Sequence, residues 1–130
     1  MIKKEMVIAS VQAYLNKAHH FLTQAEELAD KRQAEGEEVI THCEKALLLL
    51  FKAFLMFKGE KTEEGVGIDQ LYSRCASLAE DFYALEETIA YLTVEENLEE
   101  LDQEELGDKV DAVNEVWDFV LSFLPEKYHL

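Results

Sequence analysis

Apolar residues recur along the first third of the chain at steps of three and four residues. This is the period of a helix that packs on one side, and it predicts a first helix over residues 4–34. Gly36 is the predicted stop of this helix, because glycine favours helix C-termini. A second helix is predicted over residues 37–58, ended by Gly59. The stripe of the first helix consists of Val7, Val11, Tyr14, Leu15, Ala18, Leu22, Ala25, Leu28 and Ala29.

The second predicted helix is no longer amphipathic within residues 46–57, ALLLLFKAFLMF. There the apolar residues lie on every side of the helix, and Lys52 is the one charged residue. The run is too short to cross a bilayer, which takes ~20 apolar residues. Its Leu, Ala, Phe and Met favour a helix over a strand. A helix that is apolar all round must be covered all round. We therefore interpret it as the central helix of a bundle, covered in part by a second copy of the protein. The aliphatic part of the Lys52 side chain is expected to pack against this helix surface while its ammonium group reaches an acidic neighbour.

The patterns that follow are shorter. Residues 59–67, GEKTEEGVG, contain three glycines and are predicted to form a loop. A third helix is predicted over residues 68–85, and it either ends there or continues with a bend through Ile89 and Leu92.

Capping patterns predict the starts of the remaining helices. Thr93 and Glu96 match a capping box, which predicts a short helical segment over residues 94–106. Gly107 is predicted to break that segment, and Asp108 is predicted to cap the last helix.

The last helix carries a strong apolar stripe, and Pro125 ends it. Four principal helices with short connections predict an all-α protein, an antiparallel up-and-down four-helix bundle with an additional short helical segment. The chain shows no internal repeat, low-complexity segment or linker, so we expect residues 1–130 to form a single domain.

Charge is divided unevenly along the chain, whose net charge is −16. Residues 1–62 hold nine acids and nine bases, whereas residues 63–130 hold nineteen acids and only Arg74, Lys109 and Lys127 as bases. Such a surface repels nucleic-acid phosphates and anionic membranes, so we expect no DNA or membrane partner and do not favour RNA. The acidic half is either a device for solubility or a docking face for a basic protein.

The cysteines and the N-terminus indicate a cytoplasmic protein. Cys43 and Cys75 have no CxxC spacing and are too few for a disulfide framework, so we expect them to be reduced and buried. The N-terminal MIKKEM continues into an amphipathic pattern and does not resemble a secretory signal.

Metal ligands and catalytic groups are weakly represented. A di-iron bundle needs two Glu-x-x-His pairs on different helices. His19, His20 and His42 have no glutamate at that spacing, and the pair of Glu126 and His129 alone does not make two. Glu38 and His42 stand one turn apart and could form half a site. His42 and Cys43 are adjacent, so their side chains diverge by ~100° on a helix. We predict no catalytic residue, no metal and no cofactor.

The order of the helices resembles the HEPN domain family, a compact antiparallel bundle that usually dimerises. The similar segments are AYLNKAHHFLTQAEEL in the first helix, KAFLMFKG at the end of the second, IDQLYSRCASL in the third and DAVNEVWDFVLSFLPE in the last. Lys52, Ala53, Leu55 and Gly59 stand at the spacings that often end the second helix of the family.

Departures from the family pattern concern the nucleolytic site. Many HEPN proteins are ribonucleases that use an Arg and a His separated by four to six residues, but neither Arg32 nor Arg74 has a histidine at that distance. The segment TVEENLEELDQEELGD, where the pair usually lies, contains no base. Leu48 replaces a glutamate of the family, and Asp69-Gln70-Leu71 replaces His-x-Leu. The resemblance therefore implies a non-nucleolytic relative, whose partner class is a small nucleotidyltransferase-type protein.

The sequence thus favours a non-catalytic, homodimeric interaction module. Its alternatives are a divergent, toxin-like ribonuclease that uses Arg74 or an unrecognised histidine pair, and a bundle that binds a nucleotide or small molecule with Lys52 as an anion contact. The candidate interaction or anion contacts are Lys52, Leu50, Phe54, Phe57 and Arg74.

Overall fold

The computed structural model describes residues 4–31 and 35–128. Within these residues it contains no strand, and the predicted all-α fold is confirmed. Its α-helices are α1 (Lys4–Ala29), α2 (Gly36–Phe57), α3 (Ile68–Leu78), α4 (Glu86–Thr93) and α5 (Gln103–Ser122). Short 3-10 helices lie at Glu80–Leu85, Leu98–Glu100 and Glu126–Tyr128.

Side-chain pairs show how the helices run. Between α1 and α5, Asn114 Nδ2 donates to Glu26 Oε1 at 3.1 Å, while the rings of Trp117 and His19 lie 5.6 Å apart. The residue numbers rise along one helix as they fall along the other, so the two helices are antiparallel. Both also pack on α2.

The centre of the core is the second half of α2. Leu47, Leu50, Phe51, Phe54 and Leu55 are completely buried, and full burial of such a side chain stabilises the fold by roughly 1.5–3 kcal/mol. The Phe54 ring lies 4.5 Å from that of Phe82 and 6.1 Å from that of Phe123. The interpretation of α2 as the central helix is thus confirmed. Its outer side, formed by Leu48, Leu49, Lys52, Met56 and Phe57, is only partly buried.

The ends of the first two helices differ slightly from the prediction. Helix α1 ends at Ala29 rather than near residue 34, and residues 32–34 lie outside the described residues. Gly36 is not the stop of α1 but the first residue of α2. It is buried against residue 98, where an added Cβ would collide with the Leu98 carbonyl oxygen. The glycine therefore allows the start of α2 to pack closely against residue 98, and it does not end a helix.

The third predicted helix, over residues 68–85, is interrupted at Ala79. This residue is extended, with φ −147° and ψ 103°, and it separates α3 from a 3-10 turn. The turn places Phe82 in the core, and the Tyr72 hydroxyl donates to the Phe82 carbonyl oxygen at 2.7 Å. A straight helix would give up this contact. Ile89 and Leu92 belong to a separate helix, α4.

The predicted caps at Thr93 and Asp108 are wrong. Helix α4 ends at Thr93, whose hydroxyl donates back to the Ile89 carbonyl oxygen at 2.8 Å and so does not cap a new helix. Asp102 is the N-cap of α5, since its Oδ1 accepts from the backbone N–H of Glu105 at 2.8 Å. The predicted helical segment 94–106 is thus not one helix: residues 94–102 contain only a 3-10 turn at Leu98–Glu100, and residues 103–106 belong to α5 together with Gly107.

Candidate interaction surface

The five residues singled out from the sequence do not form one site. Leu50 and Phe54 are completely buried within the chain. Lys52 and Phe57 are partly buried on the outer side of α2, and the Phe57 ring lies 5.8 Å from that of Tyr128. Arg74 belongs to α3 and contacts a loop. These positions therefore lie in three different places: in the core, on the outer side of α2 and beside a loop.

Arg74 ties the loop at residues 59–67 to α3. Its guanidinium donates to the Lys61 carbonyl oxygen at 2.9 Å and lies 3.9 Å from a carboxylate oxygen of Glu60. The groove beside it has a volume of about 640 Å³ and is lined by both cations and carboxylates. Glu63 and Asp69 offset the positive charge there, so the groove is a poor anion site.

A second groove lies between α4 and α5 and has a volume of about 480 Å³. We call it the α4/α5 groove. It is lined by Glu87, Thr88, Tyr91, Asp108, Asp111, Ala112 and Glu115. Its four carboxylates are exposed, and none pairs with a base among the residues that the structure describes. Tyr91 is 41% exposed in this groove, with Ala112 as an apolar contact surface.

Tyr91 also contacts a lysine that was not among the residues predicted from the sequence. Lys109 is only 3% exposed, and its Nζ donates to the Tyr91 carbonyl oxygen and to Glu96 Oε1, each at 2.7 Å. The same Nζ lies 3.8 Å from the centroid of the Tyr91 ring. Because the Tyr91 carbonyl belongs to the last turn of α4, the ammonium also complements the negative end of that helix.

The sequence did contain a signal for Lys109. It is a single base among many acids, and it falls within the apolar spacing of Leu106, Val110 and Val113. A base at such a position on a helix must be buried together with a partner.

Comparison with protein families supports the resemblance seen in the sequence. The HEPN domain model matches residues 11–122, from within α1 to the last residue of α5. The chain belongs to the HEPN domain family. No curated protein and no solved structure shows a significant match, so the assignment rests on the family model.

Among the described residues of this HEPN domain, no hydrogen bond or ion pair joins Arg74 to a histidine. Arg74 lines the groove beside the loop at 59–67, whereas His42 lines a different groove with Glu27 and Lys31. His42 Nδ1 lies 2.7 Å from the Glu38 carbonyl oxygen and donates to it. Arg32 and His129 lie outside the described residues. The ribonuclease alternative thus gains no support from these contacts.

Both cysteines of the HEPN domain are free and buried. Burial raises the pKa of each thiol, Cys43 and Cys75, to about 12, so neither forms the reactive thiolate at neutral pH. Among residues 4–31 and 35–128, no group of histidine, cysteine and carboxylate side chains is arranged to hold a metal ion. No helix in this part of the chain is both long and apolar enough to cross a membrane.

The electrostatics of the α4/α5 groove act on Tyr91. Burial raises the pKa of its hydroxyl, and the neighbouring carboxylates of Asp108, Glu96 and Glu105 raise it further. The hydroxyl therefore stays protonated at neutral pH and carries no negative charge of its own. The groove presents a neutral aromatic ring among carboxylates that pair with no base of the part of the chain that the structure describes.

Proposed function

We propose that this HEPN domain is a non-catalytic, cytoplasmic interaction module that docks a basic partner protein in the α4/α5 groove. The observation that carries the proposal is the set of four exposed carboxylates around Tyr91, unpaired within the described residues. Lysine and arginine side chains of a partner complement this charge. Electrostatic complementarity of this kind raises association rates and excludes acidic partners.

The shape of the groove also suits a protein segment. Two helices form its walls, so side chains of a helix or an extended segment can enter between α4 and α5. Tyr91 adds an amphipathic contact of the type that is enriched at protein interfaces. The family resemblance adds a partner class, a small nucleotidyltransferase-type protein with a basic surface.

The module acts as a homodimer in this proposal. Leu48, Leu49 and Met56 on the outer side of α2 support the dimer, because they remain partly exposed beside Lys52 in a single chain. A second copy would cover them. Sedimentation equilibrium should give twice the chain mass, and Leu49→Glu should shift the protein to the monomer.

Binding of a basic peptide tests the groove directly. The probe is a nona-lysine peptide, titrated into the full chain at two salt concentrations. The double variant Asp111→Asn, Glu115→Gln removes two groove charges, and Glu63→Gln, Glu64→Gln removes two charges from the loop at 59–67. We expect the groove variant to bind about tenfold more weakly, in keeping with roughly 1.4 kcal/mol for two charge pairs. Equal weakening by both double variants would show that binding follows net charge alone and would overturn the proposal.

A further inference from the structure

We infer that two copies of this chain pack antiparallel along α2 with Leu48 on the twofold axis, so that Glu44 of each copy forms an ion pair with Lys52 of the other. The inference rests on the homodimer of the proposed function and specifies the register of its interface. Its support is the order of charged and apolar residues on the outer side of α2.

Glu44, Leu48 and Lys52 follow one another at intervals of four residues in α2. Each interval turns the helix by about 40° beyond a full turn and rises by about 6 Å, so the carboxylate and the ammonium lie on one side of the helix with the leucine between them. Glu44 is exposed and lines a groove of about 570 Å³ together with Leu48, and Lys52 is partly buried. Neither charge forms an ion pair within the part of the chain that the structure describes.

A twofold axis through Leu48 brings these unpaired charges together. An axis perpendicular to the helix places residues equally far before and after Leu48 opposite each other in the two copies. Lys52 of one copy then lies opposite Glu44 of the other, and the contact occurs twice because a twofold interface repeats every pair. The two Leu48 side chains meet at the axis, and Leu49 and Met56 add apolar surface beside them.

The neighbouring register brings like charges together. An axis between Leu48 and Leu49 would place Lys45 of one copy opposite Lys52 of the other, and such pairs repel. In the structure the Lys45 ammonium lies 5.3 Å from the ring centroid of Phe21 in α1, so it is directed toward its own chain. Charge therefore selects the register centred on Leu48 among those that bury the same leucines.

The charge of this surface suits a second copy of the chain. Residues 1–62 hold nine acids and nine bases, so the acid excess that would make two copies repel lies in residues 63–130. The outer side of α2 carries one acid and one base at equal distances from Leu48, and such a pattern complements itself after a twofold rotation. A uniformly basic or uniformly acidic partner would satisfy only one of the two charges.

Charge reversal tests this register in the full chain. Glu44→Lys leaves only bases at the two positions and Lys52→Glu leaves only acids, so each variant repels its own copy. We expect the dissociation constant of each homodimer to rise at least about tenfold. An equimolar mixture of the two variants should dimerise with about the wild-type affinity, because every pair in the heterodimer joins a lysine to a glutamate. Sedimentation equilibrium measures the dimer fraction of each variant and of the mixture.

Lys45→Glu is the matched control on the same helix, since it changes the net charge by as much as Lys52→Glu does. It leaves Glu44 and Lys52 in place, so it should dimerise as the wild type does. Mixed with Glu44→Lys, it should not draw that variant into dimers, because one of the two pairs in such a heterodimer would join two lysines.

The outcomes separate this register from the proposed function. If the wild-type chain is a monomer, the homodimer and its register are both overturned, while the nona-lysine titration still tests docking in the α4/α5 groove. If the wild type dimerises but the mixture of Glu44→Lys and Lys52→Glu does not, or if each reversed variant dimerises as the wild type does, only the register is overturned. Where circular dichroism shows that a reversed variant is unfolded, Glu44→Gln, Lys52→Gln and their double variant replace it, and additive losses of affinity would overturn the pairing.

Discussion

The two halves of this HEPN domain are held in different ways. The first half contains two long helices, α1 with 26 residues and α2 with 22, which pack against each other along their apolar stripes. Residues 63–128 contain shorter and interrupted elements: α3 has 11 residues, α4 has eight, and 3-10 turns and extended chain separate them from α5. Buried apolar stripes run along α1, α2 and the 20-residue α5, whereas individual polar contacts lie at the bends between the shorter elements.

The acidic charge explains part of this difference. Nineteen acids fall within residues 63–130 against three bases, so neighbouring carboxylates repel one another and favour no particular arrangement. Three polar contacts accompany the apolar core in this half: the Tyr72 hydroxyl donates to the Phe82 carbonyl, the Lys109 ammonium pairs with Glu96, and Asp102 caps α5. We therefore expect conservative changes to such contacts to destabilise the fold more than changes to exposed ion pairs do.

The largest effect is expected at the Lys109–Glu96 pair. Glu96→Gln leaves a buried ammonium without its carboxylate, and we expect the free energy of unfolding to fall by about 2–4 kcal/mol. Lys109→Met should cost less than half as much, because methionine fills the site and leaves no buried charge. Urea denaturation at neutral pH measures both values.

The matched control for this pair is Glu60→Gln. Glu60 lies 3.9 Å from Arg74, and both side chains are more than a third exposed, so we expect a change within about 0.5 kcal/mol. A loss at Glu60 as large as that at Glu96, or a larger loss for Lys109→Met than for Glu96→Gln, would contradict the special role of the buried lysine.

A smaller effect is expected at Gly36, which packs against the Leu98 backbone of the other half. A Cβ at this position would strike the Leu98 backbone, which cannot move as a flexible side chain would. We expect Gly36→Ala to lower the free energy of unfolding by about 1–3 kcal/mol, as overpacking does. Gly107→Ala is the control inside α5, where no atom lies within 4 Å of the added Cβ. It should stabilise the protein by roughly 0.5–1 kcal/mol through helix propensity, and thermal unfolding of both variants would show whether the signs are opposite.

The long helices of the fold could be predicted from the sequence because their cause is local. The stripe from Val11 to Ala29 repeats every three or four residues, and it sets the buried side of α1 without reference to the rest of the chain. The run at residues 46–57 likewise predicted a central helix. The close approach of Gly36 to Leu98 was beyond prediction, since it joins segments 62 residues apart and leaves no periodic signal.

The candidate site was harder to predict than the fold. Lys52 drew attention because it interrupts an apolar run, yet it is only partly buried and holds no ion pair among the described contacts. Lys109, the lysine that is buried and paired, was counted only as one of the three bases of the acidic half. Its partner Glu96 was assigned to a capping box, and a side chain that binds Lys109 is not available for that role. The spacing of residues alone does not show whether the Glu96 carboxylate binds the nearby backbone, as a cap does, or Lys109 from a distant helix.

The smallest effect is expected at the start of α5, where several residues match the pattern of an N-cap. Thr93-x-x-Glu96 and Asp102-x-x-Glu105 both match a cap pattern, and Asp108 follows a glycine, but only Asp102 accepts a hydrogen bond from the helix start. Asp102→Ala should therefore cost about 1 kcal/mol, the usual loss for an N-cap. Asp108→Ala removes an acid within the helix and should leave stability within about 0.5 kcal/mol of the wild type or raise it slightly, because alanine is the better helix former. Chemical denaturation of the two variants distinguishes them, and a greater loss for Asp108→Ala would place the start of α5 at Asp108, as the sequence pattern alone had predicted.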